Sequence, residues 1–237
     1  LLEDQDVREA VFLKRPNRFL AEMLLDDEVV EVFVPNPGRM SEMMIEGRRM
    51  FIRHNPGPQR RTDFDLIGIH HDGVLVGLDT SLPNRFMKRA LIARKLPFFQ
   101  DYSRVEAEPA VYDGRFDFRL MGGLNTTLIE VKSCTLVEDR IALFPDAPTE
   151  RGARHLRNLA RSLEDGIAQA AAIVFVIQRP DARVFLSNDS TDPVFGKALR
   201  ASHEAGVDVI PITTKVVDWD LELQKRIPYD PRASVDR

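Results

Sequence analysis

The chain has 237 residues, 43% of them apolar, and carries 33 Lys and Arg against 37 Asp and Glu, a formal net charge of −4. This composition reads as one large or two small soluble globular domains. It argues against polyanion binding through bulk charge, and no apolar run approaches the ~20 residues of a transmembrane helix. The single cysteine, Cys134, excludes an intramolecular disulfide and a cysteine-cluster metal site, and fits a reducing cytoplasm.

The acidic start, Leu1-Leu2-Glu3-Asp4-Gln5-Asp6, lacks the apolar core of a signal peptide. Short strands follow over residues 8–14, 18–25, 28–34, 48–54, 64–69 and 74–78, separated by Pro/Asn/Asp/Gly turns. So many short strands predict a small closed barrel or a sandwich. The pattern changes near Ser81. Residues 83–96 read as a helix, and strands are expected over 104–112, 115–121 and 126–133. Thr149 is the expected N-cap of a helix that runs to about Asp165 and stops at Gly166. The almost uniformly apolar stretch 171–178 reads as a central strand buried on both faces. A helix over 192–205, a strand over 207–212 and a loose tail from about Asp230 complete an α/β layer fold. The sequence leaves the oligomeric state open, with the apolar 207–212 strand an edge able to mediate a homodimer.

Charge points to one place in this pattern. A hairpin centred on Gly122-Gly123-Leu124-Asn125 sets Asp117 opposite Glu130, with Lys132 two residues along the same strand face. Phe116, Phe118, Ile129 and Val131 fall on the other, apolar face. Like charges facing each other across a sheet are destabilising, so the pair calls for a cation, either Lys132 or a divalent metal. A second hairpin turning on Asp113-Gly114 pairs Ala110 with Asp117 and brings Glu108 to the same face. Carboxylates and a lysine at one strand end suit Mg²⁺ (or Mn²⁺) and phosphodiester hydrolysis. Without a metal, the same residues are a cross-strand salt bridge with an extra acid.

Three basic runs surround this cluster: Arg39 to Arg61, Arg85 to Lys95, and Arg151, Arg154, Arg157 and Arg161 at helical spacing. Each alone reads as a solvated face; together they suggest phosphate contacts. Asn36 and Arg39 lie in a rigid Pro-Asn-Pro-Gly-Arg turn that can present an arginine to phosphate, and Phe33 and Phe51 are candidate stacking platforms. Arg151 and His155 lie at a helix start, which favours anions. Asp146 and Glu150 either line the site or stabilise the loop and cap, and Gln178 either projects beside the site or ends its strand as a satisfied polar group.

The αβββαβ order with these acids resembles the PD-(D/E)XK nuclease superfamily. Phe144-Pro145-Asp146-Ala147-Pro148-Thr149-Glu150-Arg151-Gly152-Ala153-Arg154-His155-Leu156 narrows the resemblance to the sugar fermentation stimulation protein A family. So do Val34-Pro35-Asn36-Pro37-Gly38-Arg39-Met40, Leu82-Pro83-Asn84-Arg85, Phe116-Asp117-Phe118 and Ile129-Glu130-Val131-Lys132-Ser133. The resemblance implies an N-terminal all-β OB-fold barrel, about residues 1–80, and a C-terminal α/β restriction-endonuclease-like domain, about 81–237. It implies DNA binding without strong sequence preference and a role in regulating sugar metabolism. By matching position, Asp117, Glu130 and Lys132 carry the superfamily's acid, acid and lysine, and Glu108 a further strand acid. Asn36, Arg39, Asn84, Arg85, Lys88, Arg151 and His155 are the expected DNA contacts. Two departures stand out: Gly114 replaces a serine usual before the Asp117 motif, and residues 83–96 carry no acid where many superfamily nucleases place a metal-binding glutamate. Two readings follow, a Mg²⁺-dependent nuclease and a DNA-binding regulator that keeps the nuclease fold without turnover.

Overall fold

The computed structural model describes residues 6–234, so most of the acidic start, Leu1 to Gln5, lies outside the described residues. The six expected N-terminal strands all form: β1 (Val7–Asn17), β2 (Leu20–Leu25), β3 (Glu28–Phe33), β4 (Arg49–His54), β5 (Phe64–His71) and β6 (Val74–Gly77). Alternation drives them. In β2 and β4, Ala21, Met23, Leu25, Met50 and Ile52 point inward and their neighbours outward. Asp26 and Asp27, with φ of 50° and 67°, make the tight turn between β2 and β3. The strands lie in the order β3-β2-β1-β4-β5-β6, and a parallel pairing of Val32 with Phe64 joins β3 to β5. That closes five strands into an OB barrel around a methionine-rich core that includes Met23, Met40, Met43 and Met50.

The second domain opens with α1 (Leu82–Ile92) and continues through β7 (Arg104–Ala107), β8 (Ala110–Val111), β9 (Gly114–Arg115), β10 (Phe118–Gly122), β11 (Asn125–Cys134), β12 (Val137–Glu138) and β13 (Ile141–Phe144). Then come α2 (Glu150–Glu164), β14 (Ala170–Ile177), β15 (Val184–Ser187), α3 (Pro193–Glu204), β16 (Asp208–Val217), β17 (Asp220–Arg226) and β18 (Tyr229–Ser234). The main sheet has the order β17-β16-β14-β11-β10-β7, with β11, β14 and β16 parallel. Helix α1 covers one face through Phe86, Met87 and Leu91, which share a core with Phe118, Ile129, Val131 and Val174. Helices α2 and α3 cover the other, where Leu156, Leu159, Phe195 and Leu199 join Leu128, Ile173 and Phe175. The central strand β14 is buried on both faces, as its apolar run requires.

Four expectations change. Helix α1 stops at Ile92, because Arg94 turns into the left-handed region (φ 52°). Strand β16 runs on to Val217 rather than stopping at residue 212, and β17 pairs with this second half from Ile212–Arg226 to Val217–Asp220. The tail is not loose up to Ser234, because β18 pairs with β15 in a small sheet, β12-β13-β15-β18. The hairpin expected on Asp113-Gly114 turns instead on Tyr112 and Asp113, pairing Ala110 with Arg115. Tyr112 accepts a φ of 56° because its hydroxyl donates to Asp165 and its ring lies beneath Arg161; tertiary anchoring overrides the local preference for Asp-Gly. Among the described residues, no helix is long and apolar enough to cross a membrane.

Candidate active site

The β10–β11 ladder has the expected register: Gly122 pairs with Asn125 and Phe118 with Ile129, so Asp117 comes opposite Glu130 one step beyond the ladder. The chain leaves strand geometry at residues 116 and 117, between β9 and β10. This break changes Phe116, which was expected beside Phe118. Its ring packs in the core under α2, 6.2 Å from the His155 ring. The backbone N–H of Asp117 donates to the Ile129 carbonyl at 3.1 Å. Its carboxylate accepts from the Val131 N–H through Oδ2 and from Asn84 Nδ2 through Oδ1, both at 2.7 Å. One carboxylate therefore ties β11 to the first turns of α1.

Glu130 is almost completely buried, with 3% of its surface exposed. It lies on the α2 face of β11. Lys132 Nζ donates to its Oε1 at 2.5 Å, and His155 Nδ1 bonds the same oxygen. Arg151 Nε donates to His155 Nε2 at 3.3 Å. An imidazole that accepts there is neutral and carries its proton on Nδ1, so His155 donates to Glu130. The other carboxylate oxygen, Oε2, is buried and has no hydrogen-bond partner among the described residues. An orphaned anionic oxygen in a buried site is costly.

The two carboxyls are driven apart. Burial, and next the charge of Glu130, push Asp117 above the usual carboxylate range, against the pull of Val131 and Asn84. Burial also acts to raise Glu130, but the His155 hydrogen bond and the Lys132 charge outweigh it and hold the group below its ordinary value. Neighbouring carboxyls with opposite shifts are a frequent mark of acid–base chemistry.

The other expected residues are dispersed. Glu108, with φ 52°, donates its N–H to the Asp117 carbonyl, but its carboxylate is exposed and pairs with Arg115 at 3.3 Å. Among the described residues, no group of three or more His, Cys, Asp or Glu is placed to hold a metal. The set is two carboxylates, Asp117 and Glu130, beside Lys132. Arg85 reaches Ser81 Oγ and Asp79, while Lys88 and Glu150 are exposed. Gln178 is buried, its Nε2 donating to Ser133 Oγ and the Asp79 carbonyl, which joins the two domains. Asn36 is buried and accepts from the Gly38 N–H; Arg39 is exposed beside it. Asp146 leaves the carboxylate cluster altogether: it meets the backbone of Arg39 and Met40, with Arg15 nearby. Cys134 is a buried packing residue whose thiol burial pushes up. Sequence reasoning missed Phe19, whose ring is 43% exposed and stacks on Phe33, whereas Phe51 is covered by Trp219. The missed signal was the turn itself: Asn17 pairs with Leu20, so Arg18 and Phe19 are the turn residues and the Phe19 side chain stays out of the barrel interior.

An OB barrel joined to an α/β domain with paired carboxylates at a strand end defines a barrel protein with a restriction-endonuclease-like second domain. Residues 13–78 match the family model described as the SfsA N-terminal OB domain, and residues 81–219 match that of the sugar fermentation stimulation protein RE domain. The chain belongs to the sugar fermentation stimulation protein family. It is 39% identical to the homolog of that name from Clostridium perfringens strain SM101, over 92% of this chain and 94% of the other. It is 42% identical to the homolog from Acetivibrio thermocellus, over 87% and 88% of the two chains. The structure of Pyrococcus furiosus SfsA in complex with Ca²⁺ superimposes with a TM-score of 0.85 at 26% identity, covering 97% of this chain and 98% of that one.

Proposed function

We propose that this chain binds DNA and hydrolyses phosphodiester bonds with a divalent cation, Mg²⁺ or Mn²⁺, at Asp117 and Glu130. The observation that carries the reading is the buried Glu130: Lys132 and His155 bond one oxygen, and the other has no hydrogen-bond partner among the described residues. The residues fit a hard cation. Mg²⁺ is commonly held by one or two carboxylates and keeps several waters, and the oxygens of Asp117 keep lone pairs beyond their hydrogen bonds to Val131 and Asn84. The Ca²⁺ complex of the Pyrococcus furiosus relative supports a divalent ion here. When bound, such an ion polarises a phosphoryl group and lowers the pKa of bound water.

The chain's own residues do the rest. Lys132 offsets charge that develops on phosphate oxygens and can orient an attacking water. His155 fixes the Glu130 carboxylate, and Arg151 fixes the His155 tautomer. Exposed Arg39, Lys88 and Arg151 contact backbone phosphates without reading sequence.

A second reading, a DNA-binding regulator without turnover, is favoured by the absence of an acid in the first turn of α1 and by the outward turn of Glu108 onto Arg115. Incubating supercoiled plasmid and labelled oligonucleotides with each metal separates the two. The nuclease reading expects cleavage that needs Mg²⁺ or Mn²⁺ and drops about 100-fold or more in Glu130→Gln and Lys132→Met. Salt-sensitive binding with no cleavage by wild type under any metal leaves only the regulator.

A further inference from the structure

We infer that the face of the barrel carrying Phe19 and Phe33 is a stacking platform for an unpaired nucleic-acid strand. The inference rests on nucleic acid being the substrate of the Asp117–Glu130 centre. The two rings lie nearly parallel, 15° apart with centroids 6.5 Å apart, and are 43% and 36% exposed. Exposing two adjacent phenylalanines gives up apolar burial on a barrel whose other phenylalanines, such as Phe12, are covered. The guanidinium of Arg18 lies 4.9 Å from the Phe19 centroid and that of Arg60 lies 5.9 Å from the Phe33 centroid. Flat ring faces bracketed by guanidinium groups match a base with phosphates on either side.

The adjoining cleft, about 470 Å³, is lined by both rings together with Asp79, Thr80, Ser81 and Arg85. Its two acids are already engaged, Asp65 by Arg60 and Asp79 by Arg85. Among the described residues, Arg53 in the same cleft has no ion pair, which leaves its charge free for a phosphate. Ser81 and Arg85 of this lining belong to the start of α1, the helix whose Asn84 holds Asp117. A strand stacked on Phe19 and Phe33 therefore continues along α1 toward the carboxylates. A duplex would not use this platform, because its base faces are already stacked on one another.

The test is fluorescence anisotropy of the full chain with labelled oligothymidylate, roughly 12 nucleotides long to span one barrel site, and with a duplex of equal length. Phe19→Leu and Phe33→Leu keep the apolar bulk and remove the ring face. Each is expected to weaken single-strand binding about tenfold or more and to leave duplex binding within about twofold. In a Phe19→Trp variant, emission should be quenched by the oligonucleotide, a direct sign of stacking. Wild-type affinity for the single strand in both leucine variants overturns the platform and leaves the nuclease reading intact. Binding of duplex alone by wild type does the same. Failure of wild type to bind either form overturns the underlying reading, and the platform with it.

Discussion

Asp117 is held where its charge is unwelcome. Burial, followed by the negative charge of Glu130, raises its carboxyl above the usual range. A carboxyl raised on folding binds its proton more tightly in the native state. Its stabilising contribution is complete below the unfolded value, about 3.9, and is lost as pH rises through the raised value. At neutral pH the ionised group therefore costs stability, and Asp117→Asn should relieve that cost. An asparagine can still accept from the Val131 N–H, and a flip of the Asn84 amide restores the second bond. The variant should melt a few degrees above wild type at pH 7, since about 1 kcal/mol moves a chain of this size by roughly 2–4 °C. The gap should close as pH falls toward 4, and melting curves across that range measure it. Added Ca²⁺ or Mn²⁺ should stabilise wild type and not the variant. A variant that melts below wild type at pH 7 would sink the argument. Much of this site was legible in the sequence. Period two put Glu130 and Lys132 on one face, and a Gly-rich turn fixed their register against Asp117. Glu108 was misread because its backbone turns into the left-handed region (φ 52°), which breaks the strand alternation and sends its carboxylate out to Arg115. His155 was read as a phosphate contact; helical spacing gives a helix face, but not which strand that face meets.

At the scale of elements, α2 owes its position to its start. Thr149 Oγ1 accepts from the Gly152 N–H at 3.1 Å, the N-cap its sequence announced. A second device was not legible. Asp192, buried 43 residues further on, accepts from the Thr149 N–H through Oδ2 (2.7 Å) and caps α3 by accepting from Phe195 through Oδ1 (2.9 Å). One carboxylate thus fixes the starts of both helices, and His155 sits on the second turn of the first. Thr149→Ala should cost about 1 kcal/mol, as a lost cap does. Asp192→Ala strands two N–H groups and should cost roughly twice as much or more. Urea midpoints at unchanged slope give the comparison; equal costs would mean that the shared cap contributes nothing. Barrel strands such as β2 and β4 were readable because they alternate over several residues and end at turns. Strands β12, β13, β15 and β18 were not. They span two to six residues, too few to show a period, and they exist because a neighbouring segment offers its edge.

The whole molecule depends on how the barrel meets the α/β domain, and one glycine decides that contact. A Cβ built on Gly38 would lie 2.1 Å from Asp146 Oδ2, closer than any real contact. The Pro-Asn-Pro-Gly-Arg turn carries glycine so that the Asp146 carboxylate can approach its backbone, where Arg39 and Met40 bond it. Arg15 clamps the same turn from the barrel side, donating to the carbonyls of Asn36, Gly38 and Arg39. The turn that reads in sequence as a phosphate-presenting loop is thus also a joint between domains. Gly38→Ala should force the loop and Asp146 apart, at a cost of about 1–3 kcal/mol for overpacking, and loosen the coupling of the two domains. Calorimetry should show a lower, broader transition that separates into two. Removing the carboxylate removes the collision, so Gly38→Ala combined with Asp146→Ala should cost less than the sum of the single variants. Residues in contact show such non-additivity, on the order of 0.5–3 kcal/mol. Strict additivity would mean that the glycine is there for the turn alone, and that the joint lies elsewhere, at the Gln178 bridge to Asp79 or where Trp219 packs on Phe51.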